Sequence, residues 1–162
     1  LLRDQAFEKK RRFLHRYVGF NYRMTNVQAA IGMAQFERIE KFIETRRRNA
    51  KLYNSMLSDV RGVVLPPEAD WAKNVYWMYS ILLDEMFGIS RDDLMIRLRE
   101  HGIDTRPFFY PIHMQPAYSG MYSGEQYESA VRLSETGLNL PSGNGLTEDQ
   151  VLEICDVIRK LT

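Results

Sequence analysis

The sequence predicts an α/β chain of α+β-like character, in which a long helix precedes a small sheet covered by helices. Three observations carry that prediction. Apolar residues recur at helical spacing from about residue 27 to 57, and Val75–Leu83 alternates at strand spacing. Two capping-box patterns, Thr25 with Gln28 and Thr147 with Gln150, open helices towards either end of the chain. The coarse order is long helix, strand, strand, helix, strand, helix, helix, a mixed class by its element pattern.

Residues 1–16 are dense in charge, with Lys9, Lys10, Arg11, Arg12 and Arg16 close together, and read as a solvated face. Leu1-Leu2-Arg3-Asp4-Gln5 reads as the tail of a helix already under way, so the chain is expected to be part of a longer protein. A polar and aromatic loop, Gly19-Phe20-Asn21-Tyr22-Arg23-Met24-Thr25-Asn26, runs into a helix that starts at about Val27. Val27, Ala30, Ile31 and Ala34 share one face, continued by Phe36, Ile39 and Ile43 and more weakly by Ala50, Tyr53 and Leu57. A single helix of about thirty residues spans roughly 45 Å, longer than a compact domain of this size is wide. Such a helix is expected to cross between two domains or two subunits. Glu37 with Lys41 and Glu44 with Arg48 suit its wet face, as does Arg46-Arg47-Arg48.

Val63-Val64-Leu65 forms a short strand stopped by Pro66-Pro67. Val75–Leu83 is apolar on both faces, which predicts a central strand. Ser90 with Asp93 starts a helix lined by Leu94 and Leu98 and ended by Gly102. Ile103–Phe109 is extended, and Pro107 argues for an edge position. A long loop over Tyr110–Gly124 is followed by a helix from about Glu125 to Thr136, ended by Gly137. Leu138-Asn139-Leu140-Pro141 is a brief extended piece, and Val151, Leu152, Ile154, Cys155 and Ile158 make the last helix amphipathic.

The 162 residues, 44% apolar and 27% charged, fit one domain with at most a small appendage, and exclude disorder and repeat architectures. Lys and Arg number 22 against 21 Asp and Glu, a balance opposed to nucleic-acid or membrane-surface binding. The single cysteine, Cys155, cannot form an internal disulfide and reads as an inert core thiol. With no signal-peptide pattern or spanning run, a cytoplasmic setting is expected.

His15, His101 and His113 lie too far apart for a chelating pair, so no metal site is expected. His101 precedes the helix-ending Gly102, a structural position. His113 stands in Arg106-Pro107-Phe108-Phe109-Tyr110-Pro111-Ile112-His113-Met114-Gln115-Pro116, where prolines can hold a donor ready for a ligand; a satisfied structural histidine fits the spacing equally. Asn21-Tyr22-Arg23 enters a helix N-terminus, where a guanidinium and an amide suit a phosphate. The competing reading pairs Arg23 with a carboxylate and gives Asn21 to the turn. Ser142-Gly143-Asn144-Gly145 lacks the Lys-Ser/Thr of a phosphate loop and is a turn.

Gly19-Phe20-Asn21-Tyr22-Arg23-Met24-Thr25-Asn26-Val27-Gln28-Ala29-Ala30-Ile31-Gly32, followed by Gln35-Phe36-Glu37, closely resembles the post-lysine segment of the DegT/DnrJ/EryC1/StrS family of pyridoxal-phosphate-dependent nucleotide-sugar aminotransferases. Gly102-Ile103-Asp104-Thr105-Arg106-Pro107, Pro111–Tyr118, Leu138–Ser142 and Leu146–Val151 continue the resemblance in order over nearly the whole chain.

The resemblance implies the C-terminal part of the type I aminotransferase fold, in dimers that share active sites. Residues 1–58 would be the end of the large domain, the cofactor-phosphate loop and the connecting helix; residues 59–162 would be the small C-terminal domain. It assigns Asn21 and Arg23 to the cofactor phosphate of the neighbouring subunit, and His113 and, more weakly, Arg106 to substrate contacts. It implies pyridoxal 5'-phosphate, an amino-acid donor, usually glutamate, and a nucleotide-linked keto-deoxysugar acceptor. The family's Schiff-base lysine and its pyridine-pairing aspartate are expected upstream of Leu1, so no catalytic residue is assigned here and this polypeptide alone is expected not to transaminate. The alternative is a non-catalytic ligand-binding or dimerisation module, separable by whether that lysine motif precedes Leu1.

Overall fold

The computed structural model describes residues 5–8, 11–15, 17–121, 124 and 126–162. Of the helix tail expected over Leu1–Gln5, Leu1–Asp4 lie outside these residues, as do Lys9, Lys10 and Arg16, while Gln5 stands in a turn at φ +55° and is not helical. The chain forms two compact units, Leu1–Glu40 and Lys41–Thr162. No helix among the described residues is long and apolar enough to cross a membrane.

The first unit begins with a hairpin absent from the sequence reading, β1 (Phe7–Glu8) antiparallel to β2 (Arg11–His15), with Phe7 opposite His15. An irregular stretch then leads to α1 (Asn26–Phe36). The predicted capping box is present in full: Gln28 N–H donates to Thr25 Oγ1 at 3.2 Å and Thr25 N–H to Gln28 Oε1 at 2.9 Å. No residue of α1 is buried, and Val27, Ile31 and Phe36 stand in solvent.

The single helix expected over residues 27–57 is two helices. Arg38 N–H reaches back only three residues, to Gln35 O at 3.1 Å, and this tighter closure separates α1 from α2 (Ile39–Leu57). No glycine or proline marks the turn.

In the second unit, Asn49, Ala50, Tyr53 and Leu57 of α2 are buried. Ala50, Tyr53 and Leu57 share one core with Tyr79 and Ile81 of the sheet and Leu94, Leu98, Val151, Cys155 and Ile158 of the later helices. The sheet contains β3 (Val63–Val64), β4 (Tyr79–Leu83), β5 (Arg106–Pro107) and β6 (Gly137–Leu140) in the order β3-β4-β6-β5, every pairing antiparallel. β4 is interior, as its two apolar faces predict, and Pro107 lies in an edge strand. Tyr79, Ile81 and Leu83 are buried while Ser80 and Leu82 are half-buried, the alternation of a strand with one face on the core.

The strand expected from Val75 starts only at Tyr79. Tyr76 has φ +46°, a left-handed conformation that breaks an extended run. Its N–H is taken by Asn74 Oδ1 at 2.8 Å, and Arg46 donates to the carbonyls of Tyr76 and Trp77 at 3.3 and 2.6 Å. Val75 and Trp77 are consequently exposed.

α3 (Arg91–Glu100) is capped by Ser90, whose Oγ accepts from Asp93 N–H at 3.1 Å. Gly102, at φ +75°, ends it as predicted: Gly102 N–H bonds Arg99 O and Ile103 N–H bonds Leu98 O, both at 2.9 Å. α4 (Glu128–Thr136) runs into β6, and Arg91 closes its end by donating to the carbonyls of Ser134 and Gly137 at 3.1 and 2.9 Å. Its expected first residue, Glu125, lies outside the described residues. α5 (Glu148–Lys160) carries the second capping box and buries Val151, Ile154, Cys155 and Ile158.

Candidate functional site

The residues singled out from sequence fall into the two units. Asn21 and Arg23 belong to the first, Arg106 and His113 to the second.

Asn21 and Arg23 are exposed on the irregular stretch that enters α1. Within the first unit that stretch is tied down at its start. Gln5 N–H donates to Phe20 O at 3.0 Å, and His15 Nδ1 lies 2.7 Å from Gln5 O. Gly19 is in close approach to the chain ahead of the hairpin, since a Cβ there would sit 2.4 Å from the Gln5 carbonyl carbon. Phe20 and Tyr22 stack at 5.4 Å on either side of Asn21. At the helix end itself the capping box already occupies the N–H groups of Thr25 and Gln28, and Ala29 N–H bonds Thr25 O at 2.9 Å. These three N–H groups are thus engaged, and the exposed Asn21 and Arg23 side chains carry further N–H groups a few residues ahead of the helix.

In the second unit a cleft of about 700 Å³ opens at the end of the sheet where β4 and β5 begin and β6 ends. Trp77, Arg106, Asn139 and Ser142 are among its walls. Arg106 and Asn139 are cross-strand partners, and Asn139 is also paired with Ser80, whose hydroxyl lies 2.7 Å from Asn139 Oδ1. Ser142 Oγ donates to Trp77 O at 3.3 Å, joining the two walls.

Trp77 is placed there by α2. Arg47 donates to Glu68 at 2.6 and 3.3 Å, with its guanidinium 5.8 Å from the Tyr76 ring centre. Glu68 Oε1 also accepts Asn74 N–H at 2.8 Å, and Tyr76 OH donates to its other oxygen at 3.4 Å. The Arg47 hydrogen bond, followed by that from Asn74, holds the Glu68 carboxyl below its ordinary range. Arg46 and Arg47, read from sequence as a wet face, thus clasp the segment that leads into the cleft.

His113 lies in a 3₁₀ turn, Ile112–Met114, that begins after Pro111. Its ring is half-buried, 4.8 Å from that of Tyr127. Among the described residues, His113 does not line the cleft that holds Arg106. No group of three or more His, Cys, Asp or Glu among the described residues could hold a metal.

Trp77, Asn139 and Ser142 escaped sequence reasoning because each was read as strand or turn. The available signal was topological: residues at the start of one strand and the end of its antiparallel neighbour meet at one end of a sheet.

Sheet order, helix cover and cleft define a class: the C-terminal part of the type I aminotransferase fold. The crystal structure of the aminotransferase TlmJ from Streptoalloteichus hindustanus matches 91% of this chain and 39% of its own, with a TM-score of 0.82 and 27% identity. The chain belongs to the DegT/DnrJ/EryC1/StrS aminotransferase family, whose sequence model matches residues 1–159. It is 40% identical over 158 residues to the GDP-perosamine synthase of Vibrio cholerae and 38% identical over 162 residues to that of Caulobacter vibrioides, covering 98% of this chain in each case. The chain spans 43% of the length of either synthase. Pyridoxal phosphate is the cofactor of this family.

Proposed function

We propose that the full protein carrying this chain moves an amino group from an amino acid, glutamate, to the keto carbon of a nucleotide-linked keto-deoxysugar, in polysaccharide, O-antigen or related sugar biosynthesis. The observation that carries this reading is the family match over residues 1–159, shared with two GDP-perosamine synthases at 38–40% identity. The reading includes a cytoplasmic homodimer with shared active sites. Residues 1–58 then supply the end of the large domain, the phosphate loop and the connecting helix, and residues 59–162 the small domain.

The donor set of the first unit fits the phosphate of pyridoxal phosphate. An amide and a guanidinium stand exposed on a stretch anchored at Gly19, and a guanidinium fork matches phosphate oxygens two at a time. When bound, the cofactor supplies the electron sink that amino transfer requires. Asn21 and Arg23 hold and orient its phosphate. The imine-forming lysine is assigned to the part of the relatives that this chain does not span. His113, held against Tyr127, and Arg106, at the cleft wall, contact the substrates.

The test is incubation of the full-length protein with L-glutamate and 4-keto-6-deoxyhexoses linked to GDP, TDP or UDP. Equal amounts of 2-oxoglutarate and an aminosugar nucleotide are expected with one of them. Formation of neither product with any acceptor, using protein shown to be folded and loaded with cofactor, overturns the reading.

A further inference from the structure

The turn between β6 and α5, Ser142-Gly143-Asn144-Gly145, holds the chain's only asparagine followed by a glycine. In such a pair no Cβ shields the glycine nitrogen from the amide carbon of the preceding side chain. Reaction between them needs both groups open to water and unengaged. Asn144 and Gly145 are exposed and lie outside any helix or strand. Neither the Asn144 amide nor the Gly145 N–H has a hydrogen-bond partner among the described residues. The turn closes around them, with Leu146 N–H donating to Gly143 O at 3.1 Å. Its flanks are anchored to α2: Tyr53 OH donates to Pro141 O at 2.9 Å and Asn49 Nδ2 to Leu146 O at 3.2 Å. Asn139 is the contrast. It precedes Leu140 within β6, and its side chain is bonded at both ends, to Ser80 Oγ at 2.7 Å and Pro107 O at 3.4 Å.

We propose that Asn144 is a spontaneous modification site, where the side chain deamidates through a cyclic imide to aspartate and isoaspartate. The Gly145 nitrogen gives up its proton and bonds to Asn144 Cγ; the Cγ–Nδ2 bond breaks, and the nitrogen leaves as ammonia with that proton. Nothing is oxidised or reduced. Water then opens the imide ring at either carbonyl. Opening at the side-chain carbonyl leaves aspartate in an unaltered backbone. Opening at the main-chain carbonyl leaves isoaspartate, whose backbone runs through Cβ and Cγ and is longer by a carbon. Either product puts a carboxylate in the turn, and isoaspartate also lengthens the span from Gly143 to Leu146. Pro141, Ser142, Gly143 and Leu146 line the sheet-end cleft, so the modification alters one rim of it while the anchored flanks keep the fold.

The test is storage of the folded full-length protein in mildly alkaline buffer, with tryptic mapping at intervals. Cleavage after Arg132 and after Arg159 releases one peptide that carries both Asn139 and Asn144. Asn144 is expected to gain about 1 Da as its amide becomes a carboxylic acid, with isoaspartate the larger product and Asn139 unchanged. Gly145→Ala should slow the gain by about tenfold or more. Nothing lies within 4 Å of a Cβ built at Gly145 and its φ is outside the left-handed range, so this variant should melt with the wild type. A sample in denaturant gives the rate of the unfolded chain. Modification there but not in the folded protein overturns the proposal, as do equal rates in wild type and Gly145→Ala. Aspartate formed without isoaspartate also overturns it, because direct hydrolysis passes through no imide.

Discussion

Tyr53 of α2 and Tyr79 of β4 stack at 4.5 Å with their ring planes 20° apart, and each sends its hydroxyl out of the core to a separate acceptor. Tyr53 OH donates to Pro141 O at 2.9 Å and Tyr79 OH to Asn54 Oδ1 at 2.6 Å. Burial pushes both phenols well above their ordinary range, so both stay neutral donors. The pair joins the helix to the central strand and, through Pro141, to a wall of the cleft.

Tyr53→Phe keeps the stacked ring and removes one hydrogen bond to a carbonyl. A loss of about 1 kcal/mol is expected in denaturant unfolding. Tyr53→Ala empties a fully buried site and should cost about 3–5 kcal/mol, an amount that marks the ring rather than the hydroxyl as the main contributor.

Glu68 ionises more readily in the folded chain than in the unfolded one, because Arg47 and Asn74 N–H bind its carboxylate. Between its lowered folded value and the ordinary 4.5, the unfolded state binds more protons. The clasp's contribution is thus present above that range and lost as pH falls through the folded value. The melting temperature of the wild type should drop more than that of Glu68→Gln between about pH 6 and about pH 3. Parallel pH curves for the two proteins would contradict the clasp.

Arg23→Ala in the full-length protein should weaken pyridoxal phosphate retention by about tenfold or more, in line with loss of a charge-assisted hydrogen bond. Asn21→Ala should weaken it less. Equilibrium dialysis against the cofactor measures both, and unchanged retention in Arg23→Ala would remove the phosphate assignment.

Cys155 is fully buried, and burial pushes its thiol up to about 12. Iodoacetamide at about pH 8 should leave the folded protein unlabelled and modify it once in denaturant, read by intact mass. Rapid native labelling would show that α5 opens from the core.

Much of this fold was legible because its signals are local. Thr25 with Gln28, Thr147 with Gln150, and Ser90 ahead of Gly102 each fix a helix end through atoms a few residues apart. The strand start at Tyr79 was hidden because its cause is distant: Arg46, 31 residues before Trp77, takes the carbonyl that an extended run would use. The Glu37–Arg38 turn carries no breaker residue, and the β1–β2 hairpin lies in a charge-rich stretch without alternation. Asn21, Arg23, His113 and Arg106 were singled out by their surroundings in sequence, and of these Arg106 lines the cleft. Trp77, Asn139 and Ser142 needed the sheet, since only the register brings β5, the end of β6 and the entry to β4 side by side.

The two outer strands of the sheet share a feature with a consequence for handling the protein. β3 is two residues long and runs into Leu65-Pro66-Pro67, while β5 is two residues long and ends on Pro107. Proline has no amide hydrogen to offer, and so short a rim gives a stray chain little to grip. These borders offer a poor template for amyloid-like growth, so fibrils are not expected to nucleate on this sheet even though aliphatic and aromatic side chains on α1 stand bare.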